Sequence, residues 1–136
     1  MQSVMAKKNV SEILRKKGIS VTTQRIEILK YLMQTKTHPT VEDIYLQIHS
    51  TFASLSRATV YNTVMAFKEV GLVQEITIEK EKARYDGNFE AHPHFFCRTC
   101  QKVYDLGAEV KLTYPHEKYK VESEQIYLYG VCEYCR

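Results

Sequence analysis

Apolar residues recur through the first seventy positions at the three- and four-residue spacing of short amphipathic helices. Val10, Ile13 and Leu14 form a first stripe that stops at Lys17-Gly18. Thr22 or Thr23 can cap a second helix, with Ile26, Leu29, Leu32 and Met33 inward. His38-Pro39 predicts an extended step, because proline pushes the preceding residue out of the helical region. Thr40 then caps a third helix with Asp43 at the reciprocal position, and Val41, Ile44, Tyr45 and Ile48 line its buried face. Ser56 caps a fourth, with Val60, Val64 and Phe67 inward and a stop near Gly71. Two strands, Leu72 to Ile78 and Ala83 to Tyr85, flank the charged turn at residues 79–82.

Helices followed by a β-hairpin is the order of a winged helix-turn-helix, whose last helix enters the major groove. The early outward positions of the fourth helix are Arg57, Thr59, Tyr61 and Asn62, residue types that contact base edges or phosphates. The same positions also suit an ordinary polar face. Beyond about Asp86 the pattern changes to strands: His94 to Cys97, Lys102 to Asp105, and Val121 to Val131. The overall expectation is α+β. Some fifty residues of small sheet bury little apolar area, so a staple there makes sense.

Composition narrows the class. The chain has 136 residues, 44% of them hydrophobic, which suits one compact domain or two very small ones. It contains no apolar run of membrane-spanning length and no apolar leader at Met1 to Val10, so a soluble, cytoplasmic protein without membrane contact is expected. Residues 1–80 carry eleven Lys/Arg against seven Asp/Glu, and residues 81–136 eight against nine. A mildly basic amino half suits an anionic polymer, although many such surfaces are merely solvated.

Two Cys-x-x-Cys pairs, Cys97/Cys100 and Cys132/Cys135, hold all four cysteines. Four thiolates in two such turns fit a closed structural zinc site; two disulfides or a redox dithiol are the alternatives. Upstream, His92-Pro93-His94 would place two imidazoles on one strand face, near Asp86 and Asp105. Two His and carboxylates suit Fe(II), Mn(II) or Zn(II), whereas four sulfurs favour zinc. Surface histidines beside a zinc ribbon are the plainer possibility. His49 reads as a solvent-facing or C-terminal helix histidine, and His116, in the loop after Tyr114-Pro115, and Glu109 as remote candidate ligands.

His38-Pro39-Thr40, Ala58 to Asn62, Arg84-Tyr85-Asp86, His92-Pro93-His94 and the two cysteine pairs occur in register. Together they resemble the ferric uptake regulator (Fur) superfamily of metal-dependent repressors, most closely its peroxide-sensing PerR branch. The resemblance runs from about residue 10 to Cys135. It implies a winged-helix DNA-binding domain over residues 1–84, a hinge at about 79–90, and a small α/β metal-binding dimerisation domain over residues 85–136. It implies structural zinc on Cys97, Cys100, Cys132 and Cys135, and regulatory Fe(II) or Mn(II) on His38, Asp86, His92, His94 and Asp105. The implied partners are a second copy of the chain and an inverted-repeat operator, with no small-molecule substrate and no enzymatic turnover.

Aspartate at both 86 and 105, where iron-sensing relatives tend to have Glu, implies a more open site that peroxide can reach. Fe(II)-catalysed oxidation of His38 or His92 to 2-oxo-histidine would then release the operator. An iron or zinc homeostasis repressor is the alternative on the same residues. An oxygen-using enzyme and a zinc-stapled interaction module are weaker readings, because five ligands leave few open positions and a bare module leaves Arg57 to Asn62 and His38 without a role. Departures from the pattern are the 26 residues between Asp105 and Cys132, short for a helix on the dimer sheet, and Arg57, where a small or apolar residue is common.

Overall fold

A computed structural model describes residues 2–87 and 92–136, with side-chain environments from residue 9 onward. Residues 88–90 of the expected hinge lie outside the described residues. The chain divides into two compact units, Met1–Phe89 and Glu90–Arg136.

The first unit holds four helices and a hairpin. Helix α1 (Gln2–Lys16) stops where Gly18 takes φ +75° and Ile19 N donates to Leu14 O at 2.9 Å, a left-handed C-terminal cap. Helix α2 (Thr23–Gln34) is capped by Thr22, whose hydroxyl accepts from Arg25 N. Helix α3 (Val41–His49) has the full reciprocal cap: Asp43 N donates to Thr40 Oγ1 at 3.1 Å and Thr40 N to Asp43 Oδ2 at 3.0 Å. Helix α4 (Arg57–Glu69) is capped by Ser56, and Gly71 after it has φ +77°.

Leu14, Ile28, Leu29, Ile44, Val60, Val64 and Phe67 are fully inaccessible and pack as one core. Burial of an aromatic such as Phe67 stabilises this unit by about 3–5 kcal/mol, judged by typical truncations. Met33, expected inward, is 47% exposed and Ile28 takes its place. The buried stripe of α2 runs through positions 28, 29 and 32, and the next residue turns about 100° away from it.

Strands β1 (Gln74–Ile76) and β2 (Arg84–Asp86) pair antiparallel, Glu75 opposite Tyr85. They are shorter than the expected 72–78, and β2 extends one residue further, to Asp86. Leu72, Val73 and Ile78 are buried without joining the ladder, so side-chain burial outruns strand pairing here.

The second unit is a three-stranded sheet in the order β4-β3-β5, with β3 His94–Cys97, β4 Val103–Asp105 and β5 Tyr127–Gly130. β3 pairs antiparallel with β4 and parallel with β5. The expected strand over 121–131 shrinks to four residues, since Val121 to Gln125 are exposed and have no partner strand among the described residues. The described residues of this unit contain no helix. Residues 106–126 are mostly exposed and are interrupted by Pro115, so the segment lacks a continuous buried helical stripe.

Candidate metal centres and nucleic-acid face

The four-cysteine cluster is built by the register of β3 with β5. Cys97 at the end of β3 lies opposite Gly130, and Arg98 N donates to Gly130 O at 2.9 Å. This brings the turn at Cys132 beside the turn at Cys97. The first turn closes through Gln101 N to Cys97 O at 2.8 Å, with Gln101 itself at φ +62°. The second closes through Cys135 N and Arg136 N to Cys132 O, each 3.1 Å.

All four thiols are free, and their sulfurs lie within 4.8 Å of one another. Cys100 Sγ is 3.9 Å from Cys132 Sγ. Disulfide sulfurs sit about 2.05 Å apart, whereas Zn–S bonds of about 2.3 Å at tetrahedral angles put sulfurs about 3.8 Å apart. The cluster therefore fits zinc.

Its electrostatics agree. Cys97 is pulled down to about 6, first by the Cys100 backbone N–H and then, against some desolvation, by that of Cys132. Cys132 is also lowered: burial opposes ionisation, and the Tyr104 hydroxyl and the Cys135 thiol outweigh it. Cys135 is pushed up to about 12, chiefly by sharing its proton with Cys132. Four thiolates this close need a cation to coexist. Tyr104, whose hydroxyl is 3.9 Å from Cys100 Sγ, was not singled out from the sequence, where nothing in spacing marks it.

The candidate regulatory ligands fall into two groups, one in each unit. In the first, His38 Nε2 lies 3.5 Å from Asp86 Oδ2, both side chains buried. His38 is not extended as expected: it has φ +55°, a left-handed conformation uncommon for a non-glycine residue. Two bonds hold this turn onto β2: Arg84 Nη1 to His38 O at 3.1 Å and Tyr85 N to Pro39 O at 2.9 Å. Glu79 in turn anchors Arg84. Backbone strain of this kind persists where the surroundings impose it, and it clusters at ligand sites. Gly87 follows Asp86 because a Cβ there would meet Leu32 O of α2 at 2.5 Å.

In the second unit, His92 Nε2 and His94 Nε2 lie 2.9 and 3.1 Å from the same oxygen, Asp105 Oδ1. The register sets His94 directly opposite Asp105. His92 precedes the strand, yet the two rings still face together, with centroids 4.3 Å apart. His92 is hydrogen-bonded to Asp105, and His94 and Asp105, though not His92, belong to a group of donors close enough together to hold an ion. Nitrogen and carboxylate donors suit Fe, Mn or Zn.

On α4, Tyr61 and Asn62 are exposed and Arg57 is 62% exposed. Thr59 is half-buried, its hydroxyl 2.8 Å from that of Ser56. Neither His116 nor Glu109 belongs to a four-ligand cluster among the described residues. His49, expected to face solvent or to end the third helix, is the last residue of α3 and stacks on Tyr45 with Nδ1 buried. No described helix is long and apolar enough to cross a membrane.

The peroxide-responsive repressor PerR of Staphylococcus aureus (strain Mu50) is 36% identical over 128 residues, covering 90% of this chain and 86% of that protein. Among solved structures, PerR from Streptococcus pyogenes shares 31% identity with a TM-score of 0.56, covering 96% of this chain and 93% of that one. The ferric uptake regulator of Vibrio cholerae shares 25% identity with a TM-score of 0.71, covering 90% and 98%. The pattern of the ferric uptake regulator family matches residues 16–130, and the chain belongs to that family.

Proposed function

We propose that this chain is a cytoplasmic, metal-dependent transcriptional repressor that binds an inverted-repeat operator as a homodimer and senses hydrogen peroxide. In this reading Cys97, Cys100, Cys132 and Cys135 hold structural Zn²⁺. His38, Asp86, His92, His94 and Asp105 hold regulatory Fe²⁺ or Mn²⁺. The observation that carries it is the convergence of His92 and His94 on one Asp105 oxygen, together with a strained His38 beside Asp86. Similarity to the S. aureus and S. pyogenes PerR proteins supports the peroxide signal.

Ligands from two units give a bound ion different affinities for different interdomain angles, which is what a metal-driven switch requires. A bound Fe(II) supplies the one-electron reduction of peroxide, which Mn(II) does not readily supply. The side chains that answer are His38 and His92. In the net change one peroxide oxygen joins imidazole C2, the C2 hydrogen moves to ring nitrogen, and the other oxygen leaves as water. The oxidised ring donates poorly, so the tie between units is lost and the operator released. Two short aspartates, rather than glutamates, leave room for peroxide to approach. Arg57, Thr59, Tyr61 and Asn62 are the proposed DNA contacts.

The test is DNA binding by the Fe(II)-loaded and Mn(II)-loaded proteins before and after peroxide. Release of DNA from the iron form alone supports the reading. Binding that follows metal level and ignores peroxide would instead indicate an iron or zinc homeostasis repressor.

A further inference from the structure

Arg57, at the first turn of α4, is already occupied. Its Nε donates to Glu42 Oε2 at 2.8 Å and its Nη2 to Glu42 Oε1 at 2.9 Å, a two-pronged pairing. The guanidinium also lies over the Tyr45 ring, 4.3 Å from its centroid, and Tyr45 stacks on His49 at 4.9 Å. Both charged side chains remain more than half exposed. The fork of a guanidinium pairs with carboxylate and with phosphate in the same geometry.

We propose that Glu42 is an intramolecular stand-in for a DNA backbone phosphate: it holds the Arg57 fork in free protein and must be displaced when α4 meets DNA. This rests on the reading of α4 as the DNA-contacting helix. Tyr45 keeps the guanidinium plane fixed during the exchange, so only the anion changes. The exposed pair is weak enough to exchange, since solvent screens it and holding two long side chains in one geometry costs entropy. After exchange, the Glu42 carboxylate is left beside the phosphates and takes up a cation. That uptake offsets about one of the counterions released from DNA. Glu42 therefore lowers affinity for any duplex, and a site must supply enough further contacts to overcome it.

The experiment uses the full chain loaded with zinc and Mn(II), and a labelled duplex enriched from a random pool by the wild-type protein. Binding is measured by anisotropy across a salt series for wild type, Glu42→Gln, Arg57→Ala and the double variant, with thermal melting as a folding control. Glu42→Gln should bind up to about fivefold tighter, with a salt dependence steeper by up to about one ion. In the Arg57→Ala background the same change should have a smaller effect, because only the repulsion between the carboxylate and the phosphates remains to be removed. Weaker or unchanged binding by folded Glu42→Gln would overturn the proposal, because Glu42 would then serve to position Arg57. A gain of undiminished size without Arg57 would also overturn it, as simple charge removal. If the wild type enriches and binds no duplex, it is the DNA-binding reading that fails.

Discussion

Asp105 and Tyr85 show how far single side chains set behaviour. Asp105 presents one oxygen to two imidazoles at 2.9 and 3.1 Å, and its short stem fixes that oxygen close to β4. Glu at this position would carry its carboxylate one methylene further. The Asp105→Glu protein is expected to keep Mn(II)-dependent DNA binding and to lose peroxide release, read by anisotropy before and after oxidant. Undiminished release in that variant would contradict the open-site argument. Tyr85 is pushed up to about 12, first by burial and then by the nearby Glu75 carboxylate. The unfolded chain ionises Tyr near pH ~10, so between pH 10 and about 12 the unfolded state binds fewer protons than the native one. Stability is therefore unaffected by this group below pH ~10 and falls as pH rises above it. Urea denaturation should show that fall in the wild type and a shallower one in Tyr85→Phe.

At the scale of elements, caps and stripes were readable because they are local. Thr22, Thr40 and Ser56 cap the helices as their sequence neighbours predict, and Val60, Val64 and Phe67 face inward. What the sequence hid depends on distant chain. The left-handed His38 is imposed by bonds from Arg84 and Tyr85, some 46 residues away, and overrides the local effect of Pro39. The last strand is shorter than expected because the alternation continues through residues 121–125, which join no strand ladder among the described residues. Register between β3 and β5 is likewise invisible in spacing, yet it is what sets the two cysteine turns side by side. With so short a sheet, the binding energy of the proposed zinc would be folding energy for this unit. Cys97→Ser, or exhaustive chelation, should abolish the sheet's cooperative melting while α1–α4 stay helical by circular dichroism. A zinc-free protein that retains protected β3 amides in hydrogen exchange would remove that claim.

At the scale of the whole molecule, the proposed DNA contacts lie in the first unit while the proposed regulatory ligands come from both, so a bound ion would couple the two units. The family resemblance supplied His38, which is 48 residues before Asp86 and beyond the reach of any spacing argument. The four-cysteine cluster needed no such help, since all four cysteines sit in two matching turns. The central claim is that one ligand histidine is the chemical target of peroxide. Protein loaded with Fe(II), and separately with Mn(II), is exposed to a low dose of peroxide, and its peptides are then measured by mass spectrometry. The account predicts one added oxygen on the peptide containing His38 or His92, in the iron sample alone. Unmodified histidines in a protein with verified iron occupancy would contradict it.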